Sequence, residues 1–345
     1  MRRAATVAMA AGIAITTGIS SASAASAPTP TSVPLSLAHY GHIVIDPTHR
    51  HVFISGGSGS TAIVVTDYTG KTVATIAGEQ GAYGLALSTD GRTVYAALTD
   101  GKAVSAINTR TLAETARYAT GYPTDYVAAA GGRVWFSYSN DTQSGIGSIN
   151  PRTSAVTVPA TTDSWYYAPI LAANRDELAA GLTGISPASV ATYDVSGGTA
   201  KVLAAQQVPG GFVNGPDNLT DLAITPDGAD VVTASGYPYY QEEYSATDLT
   251  PAGRYTSASY PSSVSIAANG TVFGGVSHDY GPAVFVFAPG NPTAMRSFNL
   301  PSDQPGQEDG LDADGLAATP DGRELFAVSS DVYGNNPTLN IIPNP

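Results

Sequence analysis

Residues 85–98, LALSTDGRTVYAAL, decide the fold of this chain, because two apolar runs around a tight polar turn return along its length. Alternating apolar and β-branched residues on either side of an Asp-Gly turn predict a β-hairpin. Two clear copies are LAITPDGADVVTAS at residues 222–235 and LAATPDGRELFAVS at residues 316–329. Four weaker copies lie at residues 43–55, 127–138, 170–181 and 264–275. The chain therefore contains seven related hairpins.

The spacing of the seven hairpins is nearly regular. When the copies are aligned on the first apolar residue after the turn, the steps are 42, 40, 44, 53, 41 and 53 residues. A period of about 40–45 residues with a hairpin in each repeat is typical of a β-propeller blade. The aligned residues are Val52, Val94, Val134, Leu178, Val231, Val272 and Leu325. The sequence predicts an all-β fold, a seven-bladed β-propeller of four-stranded antiparallel blades.

The individual strands can be predicted most clearly in the second repeat. Four β-type runs, separated by Gly-containing and polar turns, predict the four strands of one blade. They lie at residues 83–88, 93–98, 103–108 and 114–119. No segment carries a convincing amphipathic helical period.

The two ends of the repeat region complement each other. The seventh repeat supplies only three runs, at residues 315–319, 324–330 and 338–342. Residues 33–38, ahead of the first full repeat, are predicted to be the missing outer strand. Pairing the N-terminal strand with the last blade would remove an open sheet edge and close the ring.

The N-terminus predicts export. Arg2 and Arg3 precede a short apolar run, and Ala22-Ser23-Ala24 fits a cleavage site, as in a secretory signal peptide. We expect a signal peptide at residues 1–24, a linker at 25–32, the propeller at 33–342 and a tail at 343–345. The chain has no cysteine, so an extracellular protein of this sequence relies on its core and not on disulfides.

Composition narrows the possible partners. The formal net charge is −13, and Lys71, Lys102 and Lys201 are the only lysines. Such a surface repels phosphate backbones and anionic lipid headgroups, so we expect neither a nucleic-acid partner nor membrane insertion. The expected partners are an extracellular protein, a glycan or a small-molecule ligand, and the expected state is a monomer.

Residues 89–130 resemble the YVTN-type repeat of WD40-like propellers. They contain an Asp-Gly turn, a Val-Tyr strand, a Val-Ser-x-Ile strand and an Asn-Thr-x-Thr turn, and the Tyr-Pro approach at Tyr122-Pro123 recurs at Tyr260-Pro261. The resemblance implies a secreted bacterial seven-bladed scaffold within the superfamily of the quinoprotein amine dehydrogenase β-chain. Similar propellers include surface-layer and binding proteins, lactonase-like enzymes and a streptogramin lyase, so the resemblance leaves function open.

One face of the propeller collects the candidate ligand-binding residues. In a four-stranded blade, the loops between blades share a face with the loops between strands two and three. Aromatic rings beside carboxylates on such loops suit sugars or cationic groups. The predicted ligand-binding residues are Tyr40, Tyr126, Trp165, Tyr166, Tyr237, Tyr240, Glu242 and Tyr280. Of the five histidines, His39 and His278 alone fall in loops of this face.

The two 53-residue steps point to blade six. The extra residues, 206–221 and 299–314, precede the inner strands of blades five and seven on the same face. They flank the loop that carries His278 and Asp279, the candidate catalytic residues. If the inserts fold inward, their oxygen ligands suit Ca²⁺, the one candidate cofactor, although Gly310 stands where a calcium loop needs its first ligand. The candidate metal ligands are Asp221, Asp309, Asp312 and Asp314.

Two functions remain open from the sequence. The chain has no Gly-x-Ser-x-Gly elbow, no phosphate-binding loop, no dinucleotide fingerprint and no His-Glu-x-x-His motif. This favours a secreted non-catalytic propeller that binds a ligand or partner through its aromatic and acidic face. The alternative is an extracellular hydrolase or lyase that acts on a small lactone or polysaccharide, with or without Ca²⁺.

Overall fold

The protein folds as a seven-bladed β-propeller. The computed structural model describes residues 28–206, 216–258, 260–277, 282–301 and 310–345. Seven four-stranded antiparallel sheets are arranged so that the inner strand of each contacts the inner strands of its neighbours. No helix occurs among these residues, and so none that could cross a membrane. The predicted fold class is confirmed. The predicted signal peptide, residues 1–24, lies outside the described residues.

The strands are numbered in chain order, and each full blade runs from its inner to its outer strand. Blade one is β2 Ile43–Asp46, β3 His51–Ser55, β4 Ala62–Asp67 and β5 Thr72–Ala77. Blade two is β6 Ala82–Leu87, β7 Thr93–Leu98, β8 Ala103–Asn108 and β9 Glu114–Ala119. Blade three is β10 Thr124–Ala130, β11 Arg133–Ser139, β12 Ser144–Asn150 and β13 Ala155–Thr157. Blade four is β14 Ile170–Asn174, β15 Glu177–Gly181, β16 Val190–Asp194 and β17 Lys201–Gln206.

The remaining strands complete the ring. Blade five is β18 Asp217–Ile224, β19 Asp230–Tyr237, β20 Gln241–Ser245 and β21 Pro251–Tyr255. Blade six is β22 Pro261–Ile266, β23 Val272–Val276, β24 Val284–Phe287 and β25 Arg296–Phe298. Blade seven is β26 Gly310–Ala318, β27 Glu324–Ser330 and β28 Thr338–Pro343, together with β1 Thr31–Pro34.

The hairpin repeat seen in the sequence corresponds to one repeated position in the core. In every blade the aligned residue lies on the second strand, packed between neighbouring sheets. All seven of these residues are at most 1% exposed: Val52, Val94, Val134, Leu178, Val231, Val272 and Leu325. Their burial explains why this position is apolar in each copy, since exposing such a side chain would cost about 1.5–3 kcal/mol.

The N-terminal strand closes the last blade, as the sequence predicts, but its bounds differ from the expected residues 33–38. Strand β1 spans Thr31–Pro34 and pairs antiparallel with β28. The Ser32 hydroxyl donates to Oδ1 of Asn340 at 2.5 Å, which fixes the register. The backbone contact with blade seven continues one residue past the strand, where the N–H of Leu35 donates to the carbonyl of Pro337 at 2.8 Å.

A second contact joins the first and last blades on the opposite face. The Arg50 guanidinium lies 2.9 Å from Oε1 of Glu324 and 4.3 Å from the centroid of the Tyr68 ring. Arg50 holds a left-handed backbone conformation, with φ of 54°. The Tyr68 ring packs edge-on against Phe326 of blade seven, with centroids 4.9 Å apart. The closure therefore involves side chains on both faces of the ring.

The inner strands are irregular where they enter the ring. The pairing between the first two strands shifts register in blades two, three, five, six and seven. Such bulges redirect side chains and interrupt pairing. The inner strands β18 and β26, which follow the two inserts, are the longest, with 8 and 9 residues. The rest of the inserts lies largely outside the described residues.

Candidate functional site

The inner strands surround a cavity of about 310 Å³ at the propeller axis. Most of its lining residues are apolar, although polar atoms form the larger part of the surface that faces the cavity, and no lysine or arginine is among the described lining residues. Four polar residues line it as well: Ser265 and the titratable His42, Asp221 and Asp314. Each of the three titratable residues precedes the apolar run of its own inner strand, so all three lie toward the end at which the inner strands begin.

Asp221 is buried and fully engaged. Asp221 is 2% exposed, and its Oδ1 accepts the N–H of Leu222 at 2.6 Å. Oδ2 accepts the N–H of Val264 at 2.7 Å and the hydroxyl of Ser263 at 3.1 Å. Burial and the nearby Asp314 carboxylate raise the pKa of Asp221 well above its usual value. Asp221 therefore links blade five to blade six at the channel.

Asp314 connects blade seven with the start of blade one. Its Oδ2 lies 3.1 Å from Nε2 of His42, and its backbone carbonyl accepts the Tyr40 hydroxyl at 2.6 Å. Asp314 has a φ of 54°, within the irregular segment between Leu311 and Leu316. This left-handed conformation interrupts the strand and lets both its carboxylate and its carbonyl face groups of blade one.

Two more tyrosines extend the polar end of the channel. The rings of Tyr83 and Tyr126 meet edge to face, with centroids 5.3 Å apart. Burial, followed by the neighbouring Tyr83, raises the pKa of Tyr126 well above its usual value. Burial and the Asp314 carboxylate raise the pKa of Tyr40 well above its usual value. We define the channel mouth as Tyr40, His42, Tyr83, Tyr126, Asp221 and Asp314.

Strand register places one residue from each of the seven blades at the same height near this mouth. Each directly precedes the inner-strand residue whose partner stands two places beyond the aligned core position. Two of the seven are glycines, and a Cβ on Gly84 would lie 2.7 Å from the Cα of Tyr126. The seven residues are His42, Gly84, Tyr126, Ile170, Asp221, Ser263 and Gly315.

The structure brings together four of the residues that the sequence singled out. Tyr40 and Tyr126, predicted as ligand-binding, lie at the channel mouth with Asp221 and Asp314, predicted as metal ligands. Asp312 lies on the same strand as Asp314, and its Oδ2 accepts the Ser330 hydroxyl at 2.6 Å. Asp221 and Asp314, the last residues of the two inserts, therefore meet at the channel, whereas the loop of blade six that carries His278 lies outside the described residues.

The other predicted ligand-binding residues that the structure describes lie apart from the channel mouth. Trp165 is 7% exposed and packs in the core between blades three and four, whereas its neighbour Tyr166 is 74% exposed. Glu242 is 9% exposed and accepts the hydroxyl of Tyr244. The Tyr240 ring lies 5.4 Å from the Arg254 guanidinium. Tyr237 is 59% exposed and belongs to a separate group of tyrosines.

Some predicted residues lie outside the described part of the chain. These are His278, Asp279, Tyr280 and Asp309. Among the residues that the structure does describe, no three histidine or carboxylate side chains are grouped so as to hold a metal ion. The Ca²⁺ site that includes Asp309 stays a prediction.

His42 is a residue of the channel mouth that the sequence pattern did not predict. The pattern placed only His39 and His278 on the functional face, whereas His42 lines the cavity and contacts Asp314. His39 is exposed, and its Nδ1 lies 3.1 Å from the carbonyl of Gly334. The available signal was position: His42 stands directly before the apolar run of blade one, as Asp221 does in blade five.

Comparisons with known proteins support the fold and leave the function open. No protein family and no curated protein matches the sequence. Among solved structures, 1465 chains match, so the fold is too widespread to indicate one activity. One is titled Kuenenia stuttgartiensis hydrazine synthase, with a TM-score of 0.62 and 17% identity over 89% of this chain and 96% of that chain. At that identity the likeness establishes the propeller architecture alone.

Proposed function

We propose that this protein is a secreted, non-catalytic propeller that binds a small ligand at the channel mouth. The observation that carries the proposal is convergence: His42, Asp221 and Asp314 from blades one, five and seven line one end of a cavity of about 310 Å³, and the rings of Tyr40, Tyr83 and Tyr126 lie close to Asp314. Cavities of roughly 300–1,000 Å³ with a few convergent polar groups are typical ligand sites.

The lining defines the ligand's chemistry. Asp314 and Asp221 place carboxylates near Tyr40, Asp314 lies near Tyr126, and no lysine or arginine lines the described cavity wall. His42 is the one basic side chain among the described lining residues, and it already contacts Asp314. Anionic ligands would meet repulsion from the carboxylates. A cationic nitrogen gains from the carboxylates and from nearby aromatic rings, so the expected ligand is a small organic cation.

The bonding of Asp221 favours binding over catalysis. Both of its carboxylate oxygens already accept hydrogen bonds from Leu222, Val264 and Ser263. A carboxyl group that holds two blades together in this way has little freedom to exchange a proton with a substrate. Asp221 therefore supports the site and shapes its charge.

Calorimetric titration with choline, betaine, spermidine and agmatine tests the proposal. Asp314→Asn and Tyr126→Leu are expected to weaken the binding of a cation about tenfold or more. Tyr333→Ser is the matched control, because Tyr333 is 84% exposed and makes no contact with the channel mouth. If none of these cations binds at millimolar concentration, or if Asp314→Asn binds as tightly as the wild type, the proposal is wrong.

A second candidate function, a hydrolase or lyase acting on a small lactone or polysaccharide, is favoured by one observation. His42 lies 3.1 Å from Asp314, and Asp221 with its raised pKa stands nearby, an arrangement found in acid–base sites. Hydrolysis of δ-valerolactone and cleavage of polygalacturonate, each with Ca²⁺ or EDTA, would test it. Turnover that His42→Gln abolishes would replace the non-catalytic proposal. Absence of turnover in both assays counts against an enzyme.

A further inference from the structure

A group of exposed tyrosines lies on blades five and six, separate from the channel mouth. We define the tyrosine platform as Tyr237, Tyr239 and Tyr260, which are 59%, 48% and 44% exposed. Tyr239 is central: its ring centroid lies 6.1 Å from that of Tyr237 and 5.3 Å from that of Tyr260, both edge to face. Three half-exposed rings present roughly 300 Å² of aromatic surface, a patch size that often marks a binding site.

The backbone holds this surface in place. The Ser235 hydroxyl donates to the carbonyl of Tyr237 at 2.9 Å, and the N–H of Ser277 donates to the carbonyl of Tyr260 at 3.0 Å. Tyr260 has a φ of 63°, a strained conformation for a bulky residue that glycine would adopt freely. The Tyr260 ring is nearly half exposed, so packing of this ring does not explain why its backbone keeps the strained conformation. Strain that packing leaves unexplained is a reason to infer function.

Polar groups flank the aromatic surface without adding positive charge. Asp217 is the cross-strand partner of Tyr237, which places both side chains on one face of the sheet. Asn218 is exposed, but its amide lies against Gly236 on the sheet face opposite to the Tyr237 ring, because successive strand residues point to opposite faces. Arg254, the neighbouring cation, is stacked on Tyr240 and does not belong to the platform.

We infer that the tyrosine platform binds the pyranose rings of a neutral oligosaccharide. Aromatic faces pack on the C–H faces of sugar rings, while the tyrosine hydroxyls and the Asp217 carboxylate hydrogen-bond to sugar hydroxyls. The acidic flank disfavours anionic glycans. This deepens the proposed binding function by adding a second surface and its ligand class, and it rests on residues that the channel mouth does not use.

Titration of the full chain with cellohexaose, xylohexaose, maltohexaose and chitohexaose tests the inference. At least one hexasaccharide should bind, and Tyr239→Ala should weaken that binding tenfold or more. Tyr239→Trp should retain it, because indole offers an equal or larger stacking face. Because Tyr239 is about half exposed, the urea midpoint of Tyr239→Ala should match the wild type, which separates lost binding from unfolding.

The controls separate this inference from the proposed channel ligand. Tyr333→Ala removes an isolated exposed tyrosine and should leave hexasaccharide affinity unchanged. Tyr239→Ala should not alter the affinity of an organic cation for the channel mouth. If no hexasaccharide binds at millimolar concentration, or if folded Tyr239→Ala binds one as the wild type does, the inference is overturned, whatever the outcome of the cation titrations.

Discussion

The carboxylate of Asp221 in blade five accepts a hydrogen bond of 2.7 Å from the backbone N–H of Val264 in blade six. The same relationship recurs one blade further, where the Ser263 hydroxyl oxygen accepts the N–H of Leu316 at 3.1 Å. The inner strand is an edge of each sheet, so N–H groups on its channel side have no strand partner. A side chain from the preceding blade supplies the acceptor that a buried N–H requires.

Asp221→Asn should destabilise the fold. The amide keeps the size of the side chain but turns one acceptor into a donor, which then faces the N–H of Leu222 or Val264. We expect a loss of about 2–3 kcal/mol in the free energy of unfolding, measured by urea denaturation. Asp227→Asn is the control, because Asp227 is an exposed turn residue and should change stability by less than about 0.5 kcal/mol. Equal effects of the two substitutions would contradict this role for Asp221.

Stability should be greatest at mildly acidic pH. Burial raises the pKa of Glu79 and Asp125, so the folded state holds more protons than the unfolded state above the usual carboxyl range. Their contribution is complete below the unfolded pKa and is lost as pH rises through the raised values. Hydrogen bonds in turns lower the pKa of Asp67 and Asp90. The stability that these two carboxylates contribute is therefore lost as pH falls through their lowered pKa values.

The urea midpoint should therefore rise as pH falls from about 8 to about 5, and decrease below about 4. Glu79→Gln should reduce the slope between pH 5 and 8, because Glu79 is fully buried. Asp141→Asn, at an exposed turn, is the control and should leave the slope unchanged. A midpoint that climbs steadily from pH 5 to pH 8 would show that the sign is wrong.

Gly84→Ala should strain the contact between blades two and three. A Cβ at this position would lie 2.7 Å from Cα of Tyr126 and 2.8 Å from the carbonyl oxygen of Asp125, both backbone atoms that cannot rotate away. Overpacking of this kind costs about 1–3 kcal/mol. Gly197→Ala is the control, since its nearest neighbouring atom would be 3.9 Å away. Chemical denaturation that finds the two variants equally stable would contradict the predicted close approach.

Two substitutions of Arg50 distinguish the cost of its strained backbone from the stability that its side-chain contacts provide. Arg50→Ala removes the Glu324 ion pair and the Tyr68 contact, together worth about 1 kcal/mol, and keeps a Cβ at a φ of 54°. Arg50→Gly loses the same contacts but adopts this φ without a steric penalty, so it should be more stable than Arg50→Ala by about 1 kcal/mol. Thermal melts of both variants decide the order, and the reverse order would rule out strain at this position.

Removal of residues 28–34 should open the ring. Strand β28 would lose its partner β1 and become an exposed edge, which favours self-association. We expect a large fall in the urea midpoint and oligomers in size-exclusion chromatography. Ser32→Ala removes only the bond to Asn340 and should cost about 1 kcal/mol, while Ser36→Ala, at an exposed residue, should cost nothing measurable. A truncated monomer with an unchanged midpoint would refute closure by the N-terminal strand.

Much of the fold could be predicted because it depends on a local pattern that repeats. Three strands of blade two, Thr93–Leu98, Ala103–Asn108 and Glu114–Ala119, have the predicted bounds, and the inner strand is shifted by one residue to Ala82–Leu87. Alternation and turn residues are sufficient there, since each strand's partner is its neighbour in sequence. Closure by an N-terminal strand could be predicted as well, because the last repeat lacked one.

The site could be predicted only in part, because its geometry depends on bulges that a sequence pattern does not reveal. The left-handed Asp314 brings its carboxylate to His42, a contact between residues 272 positions apart that no local motif encodes. Glu242 illustrates a wrong expectation of exposure. It is a polar residue near a loop in the sequence, but it lies on strand β20 and makes a buried contact with Tyr244.

The seven residues at equal height around the channel have a further consequence. Each belongs to a different blade, whose core position is apolar and buried. Natural variation can therefore exchange one of them at a time and leave the scaffold intact, except where a glycine admits a neighbouring backbone or where, as at Asp221 and Ser263, the side chain accepts a backbone N–H of the next blade. Paralogues of this chain should accordingly diverge in ligand preference by isolated, blade-by-blade replacements, while their hydrophobic repeat remains almost constant.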